Sequence, residues 1–318
     1  MPVEPKSKPV PVLVVLGPTG SGKSELAMAL SLAFRGEIVN CDSLQIFRGF
    51  DIGTAKVPEC DRRGIPHHLI DIADPAEIFT AGQYVEAGRA CLREISARGR
   101  VPIVVGGTGF YLRALLEGLF PGPQRDDALR QRLDSREQRR PGSLHRILSH
   151  LDPQAASRIH RNDKNKTIRA LEVRLIEGQP MSELFARGRG PLVGFRAVKI
   201  GLAPPRDLLY TRIDARTLEL FQRGLMDEVR QLLDAGVASN AKPFESLGYK
   251  QALLVLNGKL TKDQAVESTQ LETRQYAKRQ ITWFRKEPSV HWLEGFGDEA
   301  EVQRQALELV EKQLTNGY

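Results

Sequence analysis

A chain of 318 residues with 41% apolar residues is long enough to bury a large core and to carry an inserted lobe. Its three cysteines, Cys41, Cys60 and Cys91, are odd in number and lack paired metal-ligand spacing, which argues against a secreted disulfide scaffold and for a reducing, cytoplasmic setting. One segment carries the whole formal charge of +7: residues 122–199 hold 17 Lys and Arg against 9 Asp and Glu, a net of +8, which suits a phosphodiester backbone better than a small substrate, a solvated helical face being the other reading.

In chain order, residues 1–11 carry four prolines and two lysines without an apolar signal core and read as a loose tail. No run approaches a membrane span, so no membrane partner is expected, and the chain is expected to be a monomer. The apolar run 12–16 predicts a strand and 25–34 a helix. Between them stands Gly17-Pro18-Thr19-Gly20-Ser21-Gly22-Lys23-Ser24, a phosphate-binding loop. Its glycines let backbone N–H groups turn towards anionic oxygens, Lys23 adds a mobile charge, and the Ser24 hydroxyl can hold a magnesium ion, Mg2+. The same pattern marks nucleotide-binding and ATP-binding proteins, so the loop names a di- or triphosphate and leaves the reaction open.

A strand at 38–41 leads into Asp42-Ser43-Leu44-Gln45-Ile46-Phe47-Arg48. A carboxylate just past the C-terminal end of a parallel strand points into the crevice of the phosphate loop, so Asp42 and Lys23 are expected in one site; a turn-capping role for Asp42 is the alternative. After a helix at 84–98, the strand 101–105 ends in Gly106-Gly107-Thr108-Gly109. A phosphate-loop kinase or ATPase would carry an acidic residue there. The second glycine turn instead suggests another polar cradle opening the helix 110–117, with the Thr108 hydroxyl as a candidate hydrogen-bonding group.

This βαβ rhythm predicts the fold class: α/β, a P-loop NTPase-like parallel sheet core flanked by helices, with an inserted helical domain. The core takes residues 12–120 and 192–318, and the insertion 121–191 is bounded by Pro121-Gly122-Pro123 and Gly188-Arg189-Gly190-Pro191, with helices at 127–136, 144–150 and 167–177. A strand at 198–202 and a helix at 209–223 follow. The strongest late helix, 267–286, is expected to turn Leu271, Ile281 and Phe284 to the core while Arg274, Lys278, Arg279 and Arg285 add charge. The adjacent His67 and His68 lack ligand-spaced partners and read as structural, as Trp283-Phe284 reads as core.

Taken together, these motifs make the chain resemble the tRNA dimethylallyltransferase (tRNA isopentenyltransferase) family over residues 12–293. The resemblance rests on the phosphate loop, Asp42-Ser43-Leu44-Gln45, Asp51-Ile52-Gly53-Thr54-Ala55-Lys56, His67-His68-Leu69-Ile70-Asp71, Gly106-Gly107-Thr108-Gly109-Phe110-Tyr111, Arg169-Ala170-Leu171-Glu172-Val173, Ser246-Leu247-Gly248-Tyr249-Lys250-Gln251 and Thr273-Arg274-Gln275-Tyr276-Ala277-Lys278-Arg279-Gln280. It implies transfer of a dimethylallyl group from dimethylallyl diphosphate to N6 of the adenine 3′-adjacent to the anticodon in tRNA. Without the zinc finger of eukaryotic members, a bacterial-type enzyme is expected.

An exocyclic adenine amine is a poor nucleophile, so a base that accepts its proton would help, and Asp42 is the candidate. The departing diphosphate would be met by the loop amides, Lys23 and magnesium on Ser24. The resemblance implies that Thr108 lies beside the amine, that Arg216 reaches the diphosphate, and that Arg130, Asn165, Lys166, Thr167, Ile168, Arg169 and Lys250 contact the tRNA, the insertion gripping the anticodon stem. Asp42, Ser43, Leu44 and Gln45 are expected to meet a base flipped out of its stack. Two positions depart from the family: Phe47 where Tyr is frequent, and Lys166 where Arg is common. The rival readings are a basic P-loop kinase or ATPase, a tRNA-binding module, and a prenyltransferase acting on free adenine nucleotides.

Overall fold

The computed structural model describes residues 9–315. Near-continuous β-branched and aliphatic runs form strands buried on both faces, the pattern of a parallel sheet sandwiched between helices. Six strands, β1 (Val10–Leu16), β2 (Gly36–Asn40), β3 (His67–His68), β4 (Val101–Val105), β5 (Phe195–Leu202) and β6 (Val290–Leu293), form one sheet in the order β3-β2-β4-β1-β5-β6. Every pair is parallel, with β1 central and in register as Leu13↔Ile103 to β4 and Leu13↔Val198 to β5.

The helices are α1 (Lys23–Phe34), α2 (Ala81–Ala97), α3 (Gly109–Glu117), α4 (Asp127–Arg139), α5 (Ser143–Leu151), α6 (Pro153–Arg158), α7 (Lys164–Glu177), α8 (Met181–Ala186), α9 (Arg206–Gln222), α10 (Leu225–Asp234), α11 (Tyr249–Leu256), α12 (Lys262–Phe284) and α13 (Ala300–Thr315). On one face of the sheet Leu26 and Leu30 of α1 pack with Val302, Ala306 and Val310 of α13. On the other, Leu92 and Ile95 of α2, Leu112 and Leu115 of α3, and Phe284 of α12 close the core. A third apolar cluster, including Phe50, Phe221, Val229 and Tyr249, underlies the segment that follows β2.

The chain divides into two units, residues 1–116 with 192–318, and residues 117–191. The division falls four residues before the predicted start of the insertion. In the first unit the Leu192 N–H donates to the Leu116 carbonyl (2.8 Å), closing the excursion. The second unit holds α4 to α8 around Leu144, Leu148, Ile168, Leu171 and Val173. At its centre the fully buried Glu172 takes Arg130 Nε and Nη2 (2.7 and 2.8 Å), Arg169 Nη1 (2.6 Å) and the Asp126 N–H (2.9 Å). Burial alone would raise this carboxyl; the two guanidinium groups hold it down at about 2.

Several expectations are corrected. Residues 10 and 11, assigned to the tail, pair with Phe195 and Arg196 in the sheet; residues 1–8 of that tail lie outside the described residues. Leu271 does not face the core but is 50% exposed, because the buried face of α12 is set by Thr269, Ala277, Gln280 and Phe284. His67 and His68 form the short β3, where His67 Nδ1 lies 2.8 Å from the Ile65 carbonyl and His68 Nε2 2.7 Å from Glu37. Trp283 packs beside Phe284 against the second core layer, and Arg113 stacks over its ring at 4.3 Å.

Candidate active site

Because the strands are parallel, β1, β2 and β4 open the phosphate loop, Asp42 and the second glycine turn onto one edge of the sheet. The loop bends through Gly20 (φ 79°) and Gly22 (φ 81°), left-handed conformations that glycine adopts without strain, and α1 starts at Lys23. Lys23 is half-buried and its Nζ donates to the Pro18 carbonyl (2.7 Å). Burial, then the charge of Arg216, lower its pKa to about 7 against the opposing pull of Asp42. Arg216, carried by α9, is likewise pushed down by burial against the pull of Asp42 and Glu219, and among the described residues it forms no salt bridge. Two basic side chains facing one cavity without a salt bridge, with Asp42 the acidic group nearby, suit an anion.

A second wall is built from hydrogen-bonded polar groups, of which Asp42 and Gln45 line the cavity. Asp42 Oδ1 accepts from the Leu44 N–H (2.8 Å) and the Gln45 N–H (3.4 Å), so Asp42 caps its own turn while lining the cavity. Among the described residues no donor reaches its Oδ2, which leaves that oxygen for a ligand. Asn40 fixes the same turn, donating to the Asp42 and Leu69 carbonyls (3.2 and 2.9 Å). Thr108 Oγ1 accepts from the Ser43 N–H (3.1 Å) and lies 3.3 Å from Ser43 Oγ. Ser43, next to Asp42, and Thr108 therefore meet, although 65 residues separate them in sequence.

Gln45 Nε2 donates to the Thr54 carbonyl (3.1 Å), bracing the turn on the 51–56 segment. Lys56, buried, anchors that segment through Asp51 Oδ1 (2.7 Å), Asp71 Oδ1 (2.5 Å) and the Phe47 carbonyl (2.6 Å). Phe47 itself is buried in the third apolar cluster, where a ring without a hydroxyl leaves no donor unpaired.

Two residues on α12 were quoted only as part of a motif. Gln280, 6% exposed, accepts from the Thr19 N–H (2.8 Å) and donates to the Gly107 carbonyl (2.9 Å), so one amide ties the two glycine turns together. Tyr276, one turn earlier, lines the same cavity, and burial followed by the charge of Asp42 pushes its hydroxyl up to about 12, keeping it a donor. The signal for both was polar residues four apart on the buried face of an otherwise solvated helix. The cavity holds about 320 Å³ and is lined by the loop with Asp42, Gln45, Arg216, Tyr276 and Gln280.

Ser24 is exposed in the first turn of α1. Lys250 belongs to the same unit and stands 3.7 Å from Glu272. In the insertion, Thr167 and Ile168 are buried, so within their run Asn165, Lys166 and Arg169 present the polar side-chain surface. Lys166 is 72% exposed and pairs with Asp163, whereas Arg130 and Arg169 are oriented by Glu172.

The fold and crevice define a phosphate-loop α/β enzyme core that presents an anion site beside a carboxylate and a hydroxyl. The IPP transferase family model matches residues 45–287. The tRNA dimethylallyltransferase of Solibacter usitatus is 59% identical over 305 residues, covering 96% of this chain and 99% of the relative, and that of Koribacter versatilis is 53% identical, covering 94% and 97%. Among solved structures, the tRNA isopentenylpyrophosphate transferase of Bacillus halodurans superposes with a TM-score of 0.71 at 34% identity, over 96% of this chain and 97% of that one. A eukaryotic dimethylallyltransferase acting on tRNA gives 0.81 at 29% identity, over 96% and 80%. The chain belongs to the tRNA dimethylallyltransferase family.

Proposed function

We propose that this chain transfers the dimethylallyl group of dimethylallyl diphosphate to N6 of the adenine 3′-adjacent to the anticodon in tRNA. One observation carries the reading: Lys23 and Arg216, neither of them salt-bridged among the described residues, face the same cavity as the Asp42 carboxylate, whose Oδ2 meets no donor of the described residues. An anionic leaving group and a proton acceptor are the two needs of alkylating an amine with an allylic diphosphate. In the step, N6 attacks C1 of the dimethylallyl group, the C1–O bond breaks with its electron pair going to the diphosphate, and the N6 proton passes to Asp42 Oδ2. Lys23, Arg216 and the loop amides meet the negative charge that grows on the diphosphate.

Thr108 and Ser43 form a hydroxyl pair beside Asp42 suited to hold the extruded amine, and Gln45 and Leu44 border the same turn. Taking the adenine out of its stack costs a few kcal/mol, which contacts of this kind offset. The anticodon stem-loop is the part of the tRNA that the basic insertion would grip, through Arg130, Asn165, Lys166 and Arg169, with Lys250 contributing from the core. A magnesium ion would be held on the protein side by the Ser24 hydroxyl, exposed in the first turn of α1. Its chemistry would be to neutralise diphosphate charge. A monomeric, cytoplasmic enzyme completes the proposal; no helix of the described residues is long and apolar enough to cross a membrane.

The test is incubation with unmodified tRNA and dimethylallyl diphosphate, followed by nucleoside mass analysis, with free adenine nucleotides in a parallel arm. Isopentenyladenosine from tRNA alone is expected. Product from the free nucleotide alone, or from neither, overturns the reading.

A further inference from the structure

The phosphate loop is braced on its outer side by a segment lying beyond the family-model match at 45–287. After β6 the chain turns through Gly295-Phe296-Gly297-Asp298-Glu299. The Gly297 N–H donates to the Ser21 carbonyl (2.9 Å), and a Cβ at Gly297 would lie 2.4 Å from the Gly22 carbonyl oxygen. From the loop's side, a Cβ at Gly22 would meet Asp298 Oδ1 at 2.7 Å and the Gly297 nitrogen at 2.8 Å. Backbone therefore rests on backbone, with the Asp298 carboxylate standing over the residue before Lys23.

A carboxylate beside an anion-binding loop repels the ligand unless it is neutralised. Arg212 neutralises it: Nη1 and Nη2 grip Asp298 Oδ1 and Oδ2 (2.7 and 3.0 Å), and its guanidinium lies 3.9 Å over the Phe296 ring. The pairing holds Asp298 below the usual carboxylate range. Arg212 sits one helical turn before Arg216 on α9, the helix whose Leu209 and Ile213 pack with Phe296 and Ala277 and abut Gly20. One helix thus sends Arg216 into the anion cavity and Arg212 to the brace behind it.

We propose that Arg212 and Asp298 are positioning residues for diphosphate binding: their bidentate pair seats the 295–299 turn against Gly22 and cancels a carboxylate that would otherwise oppose the anion. This rests on the reading of the cavity as a diphosphate site, and it assigns a function to a turn behind that cavity. It predicts an asymmetry. Arg212→Gln leaves Asp298 charged and unpaired beside the loop, whereas Asp298→Asn removes the offending charge.

The experiment measures inorganic pyrophosphate binding by calorimetry, together with KM for dimethylallyl diphosphate, kcat and tRNA Kd. Because the pair is partly exposed, Arg212→Gln is expected to weaken pyrophosphate about three- to fivefold and to raise that KM alike, with tRNA Kd unchanged. The double variant Arg212→Gln with Asp298→Asn should regain most of the loss. Glu301→Gln, which breaks an exposed pair with Arg304 on α13, should change nothing. Pyrophosphate bound by wild type and by Arg212→Gln with equal affinity overturns the proposal, as does a double variant no better than the single. If wild type binds no pyrophosphate at all, the diphosphate reading itself fails.

Discussion

The two glycine turns of the crevice look alike in sequence, line one cavity and need their glycines for different physical reasons. In the phosphate loop, Gly20 and Gly22 adopt positive φ, and the basic groups nearby, Lys23 and Arg216, form no salt bridge among the described residues. In the second turn, Gly106, Gly107 and Gly109 have no such backbone requirement and are needed for space. A Cβ would lie 2.1 Å from the Cys41 carbonyl oxygen at Gly106, 2.4 Å from Gln280 at Gly107 and 2.3 Å from Trp283 at Gly109. Here the polar groups, Asp42, Ser43 and Thr108, are bonded to one another or to backbone. One wall carries basic side chains without salt bridges, and the other is a surface of mutually hydrogen-bonded polar groups.

The sharpest way to break this comparison is at Asp42. If the second wall is the proton-accepting side, Asp42→Ala lowers kcat by about two to four orders of magnitude, while tRNA affinity in filter binding stays within about twofold. Unchanged turnover would remove the carboxylate from the chemistry and make both walls binding surfaces only.

A smaller effect separates the two uses of glycine. Gly106→Ala drives a methyl group into backbone, which cannot step aside as a flexible side chain can, and is expected to cost roughly 3 kcal/mol in urea unfolding. Gly82→Ala, in the first turn of α2 with its nearest neighbour at 3.7 Å, should instead be neutral or stabilising by up to about 1 kcal/mol. Equal costs would show that space does not explain the second turn.

The smallest effect reads the charge of the first wall. Lys23 titrates at about 7 in the free protein, against 10.5 for the ordinary side chain, so its folded pKa is depressed. Its penalty to folding is fully present below pH 7 and fades as pH rises from 7 towards 10.5, where the unfolded chain still binds the proton and the folded chain has released it. Thermal stability of the free protein should therefore gain from this group across that window, and Lys23→Met should remove the gain. A bound diphosphate restores the charge, so calorimetry at pH 8 in buffers of different ionisation enthalpy should show uptake of a fraction of a proton, absent in Lys23→Met. Uptake that persists in Lys23→Met would assign the proton to another group.

Much of the site was legible in the chain because its signals are local. An eight-residue loop between a strand and a helix specifies its own conformation, and a carboxylate directly after a parallel strand has one crevice to face. Strands β3 and β6 were not legible: two and four residues make no period, and their neighbours in the sheet, β2 and β5, stabilise them from outside. Leu271 misled for a related reason, since the face of α12 that packs is chosen by Gln280 and Phe284 meeting the rest of the core.

By itself the sequence determined the parallel α/β class, the glycine-rich phosphate-loop motif, the acidic turn after the second strand and the basic helical insertion, each written in contiguous residues whose backbone and charge preferences need no distant partner. Only the tertiary structure decided which side chains hold that site in shape. Gln280 spans from α12 to two glycine turns, Lys56 gathers Asp51 and Asp71, and Arg212 reaches Asp298 across 86 residues, contacts that exist because packing α9 and α12 onto the sheet brings distant polar groups within hydrogen-bond range. A side chain's partner is a property of the packed chain, and no spacing along the sequence encodes it.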